Sequence, residues 1–330
     1  MIPEAKKTAV INALQATFGQ IEFEEISELT AGLSSALVFR IVVRAKPYLL
    51  RIITRTDAMS DPTHWYDCMK TAAGAALAPR VLYTGVDDRI SITDFIEKKT
   101  FPISDAKLKM PELLRRLHSL PTFPSRVNYL DALDGFIKKL QNAKILPEHL
   151  TSDLSSRYAH IKNAYPRISS DLVASHNDLK PENFIYDGDK VWLVDWEAAF
   201  LNDRYFDLAV IANFVIMSDE DEKDYLNIYF GEEVNEYHHS RFFIMRQVVH
   251  ISYFTLFMLY GSVPGEQIDL NLAKPGFREF HNGIWSGEIS LANNDARQQY
   301  AWVHMEQLLH NMQLKRFVDA LQVVSNHQQS

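Results

Sequence analysis

Cysteine is almost missing from this chain: Cys68 is the only one in 330 residues. That excludes a disulfide within the chain and a zinc site built on cysteines. A surplus of basic charge is missing too. The formal net charge is −8 and no basic stripe runs along the sequence, so nucleic acid is not an expected partner. Long uninterrupted apolar runs are also lacking. The strongest candidate, Phe242 to Gly261, is broken by Arg246, Gln247 and His250, which suits a buried helix better than a membrane span. No apolar stretch follows Glu4, Lys6 and Lys7, so no signal peptide is expected and the sequence predicts a cytoplasmic protein. Nothing in it indicates an oligomeric state.

What is present is enough apolar material for a core, 47% of residues, which argues against disorder. Negative charge concentrates between Ser218 and Glu236. Ser218 is a good helix cap, and Asp219 to Glu222 would occupy a first helical turn, where the helix dipole favours acids. A docking face for a cationic partner is the alternative reading of that run.

The periodicity changes character near residues 97–101. Before it, an amphipathic helix over residues 1–19 carries Val10, Ile11, Leu14 and Phe18 on one face and stops at Gly19. Strand patterns follow: "ALVFRIVVR" and "PYLLRIIT", joined by a turn at Ala45–Lys46–Pro47. A helical stretch, "DPTHWYDCMKTAAGAAL", and two more strands, "RVLYTG" and "ISITDFI", complete this part. After Glu97 helices dominate. "MPELLRRLHSL" places Pro111 at a helix start, and "YFDLAVIANFVIM" is apolar nearly all round, as a buried helix would be. The expected fold class is α+β. The first domain is residues 1–97, a small antiparallel-sheet lobe, and the second is residues 98–330, a larger helical lobe.

One stretch interrupts the helices: "SHNDLKPENFIYDGDKVWLVDWE", Ser175 to Glu197. "FIY", "DGDK" and "VWLV" read as strand, turn and strand. Antiparallel pairing sets Tyr186 near Val191 and Phe184 near Leu193. One step further, Asn183 falls beside Val194 or Asp195, since opposed Cβ atoms lie about 5 Å apart. An amide oxygen and a carboxylate sharing one end of a hairpin suit a hard cation such as Mg²⁺, which takes one or two carboxylates together with water and phosphate oxygens. Asp178, in the loop entering the hairpin, could orient a hydroxyl and accept its proton.

"HNDLKPEN" followed by "LVDWE" resembles the catalytic loop and metal-binding segment of the aminoglycoside phosphotransferase and choline kinase superfamily, with a two-lobed protein-kinase-like fold. The chain looks closest to the bacterial choline/ethanolamine kinase branch. The resemblance implies Asp178 as catalytic base, Asn183 and Asp195 as Mg²⁺ ligands, and ATP or GTP as co-substrate. His176, Lys180 and Asp207 would support the loop. "LTAGLSSALVFRI" resembles the phosphate-covering hairpin, implicating Gly32, Ser34 and Ser35, although the family carries a second Gly or an Asn there. "YLLRI" places Arg51 at the nucleotide's basic residue. The backbone of Asp94, Phe95 and Ile96 would hold the purine. The family's partner for the basic residue is a Glu on the first-lobe helix, but no Glu occurs between Glu28 and Glu97; Asp67 is the nearest substitute. Glu197, Trp285 and Trp302 are the substrate candidates, with Tyr253, Phe257 and Tyr260 as further rings for an onium group.

"DLKPEN" also resembles protein kinases. A protein kinase needs a long segment after its metal-binding Asp, whereas here a buried helix begins around Phe206, eleven residues past Asp195. The expected acceptor is therefore small: choline, ethanolamine, an aminoglycoside or a similar amine-bearing alcohol. A kinase-like module that binds nucleotide without turning it over is the competing class.

Overall fold

The structure is a computed structural model that describes residues 2–29, 36–57, 60–231, 234–263, 265, 267–270 and 272–327. Gly32, Ser34 and Ser35 lie outside the described residues.

The chain opens with α1 (Lys7–Phe18), which ends where Gly19 takes a left-handed φ of 70° and its N–H bonds Gln15. Five strands follow with one helix among them: β1 (Glu25–Glu28), β2 (Ala36–Val43), β3 (Lys46–Ile53), α2 (Thr63–Gly74), β4 (Val81–Gly85) and β5 (Ile90–Asp94). They form one antiparallel sheet in the order β1-β2-β3-β5-β4. Alternation along β2 and β3 sends Phe39, Ile41, Leu50 and Ile52 inward, where they meet Val10 and Leu14 of α1 in a separate small core. The β2–β3 turn falls one residue earlier than the sequence suggests. Arg44 and Ala45 both adopt positive φ, the geometry that a two-residue hairpin loop demands, and Lys46–Pro47 already belong to β3.

The rest is helical apart from two hairpin-like strand pairs. α3 (Ile103–His118), α4 (Tyr129–Ala143) and α5 (Glu148–Ala164) come first. Then β6 (Leu172–Ser175), β7 (Phe184–Tyr186), β8 (Val191–Leu193) and β9 (Phe200–Asp203) pair as β6-β9 and β7-β8. Finally come α6 (Arg204–Val215), α7 (Asp219–Phe230), α8 (Glu236–Gly261), α9 (Phe277–Ser286), α10 (Asn294–Gln313) and α11 (Lys315–Asn326).

Pro111 does not start a helix. It lies inside α3, which begins eight residues earlier. Proline removes one helical hydrogen bond, but the buried stripe Ala106, Met110, Leu113, Leu114 and Leu117 holds the helix on both sides of that gap. α8 is long and apolar enough to cross a membrane by length and composition. It is instead the axis of the helical core, with α6, α10 and α11 packed around it and Arg241, Gln247 and His250 fully buried along it. The acidic run caps α7 as the sequence suggests: Ser218 accepts from Asp221 N–H. Cys68 is buried, and burial pushes its thiol up to about 12, so it is an inert packing residue.

Candidate active site

The Ser175–Glu197 stretch sits beneath the sheet, and its shape follows from local chemistry. β6 delivers the chain to His176 and Asn177, the latter at φ 65°. That left-handed turn is held by Asp207, fully buried at the start of α6, whose two carboxylate oxygens accept from His176 N–H and Asn177 N–H, both at 2.8 Å. His118 of α3 approaches the same carboxylate at 3.3 Å. Asn177 then uses its side chain as a staple: Nδ2 donates to Ala198 O at 3.0 Å, and Oδ1 accepts from Asn202 at 2.7 Å. His176 Nε2 meets Val194 O at 2.9 Å. The loop after β6 and the segment after β8 are thereby tied together.

The hairpin has the register read from its sequence. Phe184 pairs with Leu193 and Tyr186 with Val191, and Val194 N–H donates to Asn183 O at 2.9 Å. The turn holds because Asp187 accepts from Asp189 N–H, Lys190 N–H and Trp192 Nε1 while Gly188 takes a φ of 103°. Past the paired strands, Asn183 Nδ2 donates to Asp178 O at 2.7 Å and to Asp178 Oδ2 at 2.8 Å. Lys180 Nζ donates to the same Oδ2 at 3.0 Å. With its NH₂ committed, Asn183 keeps Oδ1 as an acceptor. Asp178 likewise keeps Oδ1, which has no donor among the described residues.

Asp195 follows β8 with φ 63° and accepts from Arg51 Nη1 of β3 at 2.9 Å. Arg51 Nη2 donates to Glu197. Burial acts to raise the Asp195 carboxyl, but Arg51, reinforced by Lys180 and His176, holds it below the ordinary carboxylate range. Glu197 goes the other way: burial raises it, and Arg51 only partly offsets that. For Lys180 burial favours the neutral amine, and the Asp178 charge outweighs it and raises the group. An amide oxygen and an ionised carboxylate are the donor types that suit a hard cation drawing its other ligands from water and phosphate.

Asp67 does not meet Arg51. It is exposed on α2 and lies 3.7 Å from Lys70. The α2 residue directed at Arg51 is Tyr66, buried and with its phenol pushed up to about 12 by burial, Arg51 opposing. Asp94 ends β5 and Phe95 and Ile96 follow it, all three half-buried, with Asp94 paired to Arg80 at 3.1 Å.

Beyond Asp178 opens a cavity of about 630 Å³. Its walls include Tyr129 of α4, Phe206 of α6, Tyr253, Phe257 and Tyr260 of α8, and Tyr300 of α10. The phenols of Tyr129, Tyr253 and Tyr300 are raised chiefly by burial, and each also feels the negative charge of Asp178. The charged lining is Asp178, Lys180, Arg55 and Arg297.

Two of the sequence's substrate candidates are elsewhere. Trp302 is buried against Phe254, with Lys274 above its ring. Trp285 donates to Phe101 O at 2.9 Å and lines a second cavity of about 570 Å³ on the other side of Lys180. Glu197 is held by Arg51 rather than facing the aromatic cavity. Tyr129 and Tyr300 were not singled out by the sequence. Each is one aromatic on an amphipathic helix, and only packing brings the two together.

A five-stranded sheet over a helical body, with a polar loop and hairpin at the junction, is the architecture of a kinase-like phosphotransferase. The chain belongs to the phosphotransferase enzyme family APH, whose profile matches residues 25–243. Protein LicA of Haemophilus influenzae is 33% identical over 107 residues, covering 31% of this chain and 31% of that protein. The chain thus spans about a third of the length of the first curated relatives it matches. The crystal structure of a choline/ethanolamine kinase family protein from Mesorhizobium loti superposes with a TM-score of 0.67 at 20% identity, covering 97% of this chain and 99% of the other. Choline kinase LicA from Streptococcus pneumoniae gives a TM-score of 0.56 at 15% identity, over 92% and 100% of the two chains.

Proposed function

We propose that the protein is a small-molecule kinase that transfers the γ-phosphoryl group of ATP or GTP to a hydroxyl of a compact, amine-bearing acceptor. Residues 1–97 hold the nucleotide with Arg51 and the strand-end backbone of Asp94 to Ile96. Residues 98–330 supply the loop and the acceptor cavity. The observation that carries this reading is the placement of Asp178: one carboxylate oxygen is fixed by Asn183 and Lys180, and its free oxygen is beside an aromatic cavity. The acceptor's hydroxyl proton passes to that oxygen as the hydroxyl oxygen bonds the γ-phosphorus. The bond from phosphorus to the β–γ bridging oxygen breaks, and the nucleoside diphosphate leaves. Asn183 Oδ1 and Asp195 would hold Mg²⁺, which supplies charge neutralisation on the phosphates. Asp207 and His176 keep the loop in its turn. Such an enzyme works where nucleoside triphosphate is plentiful, in the cytoplasm.

Among the acceptors, the cavity lining favours choline or ethanolamine over an aminoglycoside. Aromatic faces attract a single onium group, whereas Arg55, Lys180 and Arg297 against one carboxylate repel a polycation. A peptide acceptor fits less well, because only a short turn and β9 separate Asp195 from α6. The test is coupled ADP release across choline, ethanolamine, aminoglycosides, thiamine and sugar alcohols. Asp178→Ala should lower the rate by at least ~10²-fold while keeping Mg²⁺–ATP binding. Near-normal turnover in that variant would remove the base assignment. Nucleotide binding without acceptor-dependent ADP release for any compound would favour the non-catalytic module.

A further inference from the structure

The floor of the acceptor cavity contains a group whose hydrogen-bond direction is set from behind. Tyr300 is 2% exposed, lines the cavity, and approaches His281 Nε2 with its hydroxyl at 3.4 Å. His281 is fully buried, and its Nδ1 lies 2.7 Å from Phe277 O. A carbonyl only accepts, so Nδ1 must carry the proton. Burial drives this imidazole down to about 3, so it stays neutral and its Nε2 is a bare lone pair. The Tyr300 proton is then committed to Nε2. His250 and His304 do not supply an alternative at their Nδ1 atoms, which face each other at 2.8 Å. The Tyr300 oxygen therefore has only lone pairs left for a further partner.

We infer that Tyr300, oriented through His281 and the Phe277 carbonyl, is a specificity-determining hydrogen-bond acceptor that selects acceptors carrying N–H donors, such as a primary ammonium alcohol, over quaternary ammonium alcohols. This rests on the small-acceptor kinase reading above. The ring faces of Tyr253 and Phe257 serve either cation; the Tyr300 oxygen rewards only the one with N–H groups. A fixed acceptor that meets no donor is left unsatisfied, and that mismatch separates substrates more sharply than apolar contact does.

Two measurements test it. In the first, kcat/KM for ethanolamine and for choline is compared between the wild type and Tyr300→Phe, which keeps the ring and removes one oxygen. The expected result is a loss of at least about tenfold for ethanolamine with choline unchanged or improved, since the unmet acceptor is gone, and an unchanged KM for ATP. Equal losses for both, or an unchanged ratio, would overturn the inference. In the second, long-range proton–nitrogen NMR on the histidine-labelled wild type at neutral pH reads the His281 tautomer, assigned through its contacts to the Phe277 and Tyr300 rings. A protonated Nδ1 with a bare Nε2 is expected; a protonated Nε2 overturns the inference whatever the enzyme turns over. If the wild type phosphorylates neither alcohol, the acceptor reading of the previous section fails, and the tautomer still judges the direction of the Tyr300 hydroxyl.

Discussion

Two arginines in this protein are each gripped by two carboxylates, and the settings differ. Arg241 on α8 is fully buried. It donates to Asp171 and, at 2.7 Å, to Asp203, while Nε and Nη1 find the hydroxyls of Tyr165 and Tyr237 at 3.1 Å. The ring of Tyr205 lies 4.9 Å from its guanidinium. Arg51 on β3 reaches across the cleft to Asp195 and Glu197, and those carboxylate side chains are 26% and 42% exposed. Around Arg241 the guanidinium is sealed from water, and Asp171 and Asp203, backed by phenols, are 20% and 15% exposed, so the contact is structural. Around Arg51 solvent reaches the carboxylates, and one of them belongs to the proposed metal pair. The same three-residue unit can therefore fasten a core or act as a releasable contact, and water access decides which.

Removing each arginine is the strongest way to break this comparison. Arg241→Met should cost about 3–5 kcal/mol of unfolding free energy, because it strands Asp203 and leaves Asp171 with Arg204 alone, at 3.4 Å. Arg51→Met should cost less than about 1 kcal/mol, since water can solvate Asp195 and Glu197, yet it should weaken nucleotide binding measured by calorimetry. Urea unfolding of the two variants gives the answer. Equal stability losses would mean that the cleft contact is as structural as the buried one.

The next effect comes from the neutral groups of the same core. Burial lowers His250 and His304 well below the ordinary histidine value and His281 to about 3. In the unfolded chain each would titrate at about 6.5. Between those values the unfolded state binds more protons, so stability is complete above about pH 6.5 and falls as pH drops toward the folded values. Each histidine contributes a slope of about 1.4 kcal/mol per pH unit below that point. Unfolding free energy measured from pH 7 to 5 should fall steeply, and His250→Gln should flatten the fall by about that one-histidine slope. Asp195 behaves differently in this range: held low by Arg51 against its burial, it stays ionised. A flat profile in the wild type would show that the histidines find protons or water in the native core.

How much of this was legible in the sequence depended on distance along the chain. The β7–β8 register could be read because the two strands and their turn span only Phe184 to Leu193, and alternation plus a turn fixes such a pair. The aromatic cavity could be read only in part. Tyr253, Phe257 and Tyr260 share a helix face and were visible as one stripe, but their partners Tyr129 and Tyr300 come from other helices. Trp302 shows the limit on a single element: it lies two residues from Tyr300, and at about 100° per residue the two point to nearly opposite sides of α10. Pro111 misled because proline statistics favour a first turn, whereas here the buried stripe of α3 overrides the local preference.

The smallest expected effect concerns Asp67. Its charge is 70% exposed, with only Lys70 at 3.7 Å, so Asp67→Asn should change unfolding free energy by less than about 0.5 kcal/mol and leave the ATP KM unaltered in the ADP-release assay. The reason is helical geometry. Tyr66 faces Arg51, and the next residue is turned away by about 100°. Bringing Asp67 to Arg51 would require α2 to roll by that angle. The roll would expose Trp65 and Tyr66, now 4% and 2% exposed, at about 2–3 kcal/mol for each large side chain taken from its core. A tenfold rise in KM for ATP would mean that nucleotide binding supplies that energy and that the helix turns when the cleft fills. Unchanged kinetics would leave Tyr66 as the α2 residue at Arg51, with Asp195 and Glu197 the carboxylates that hold it.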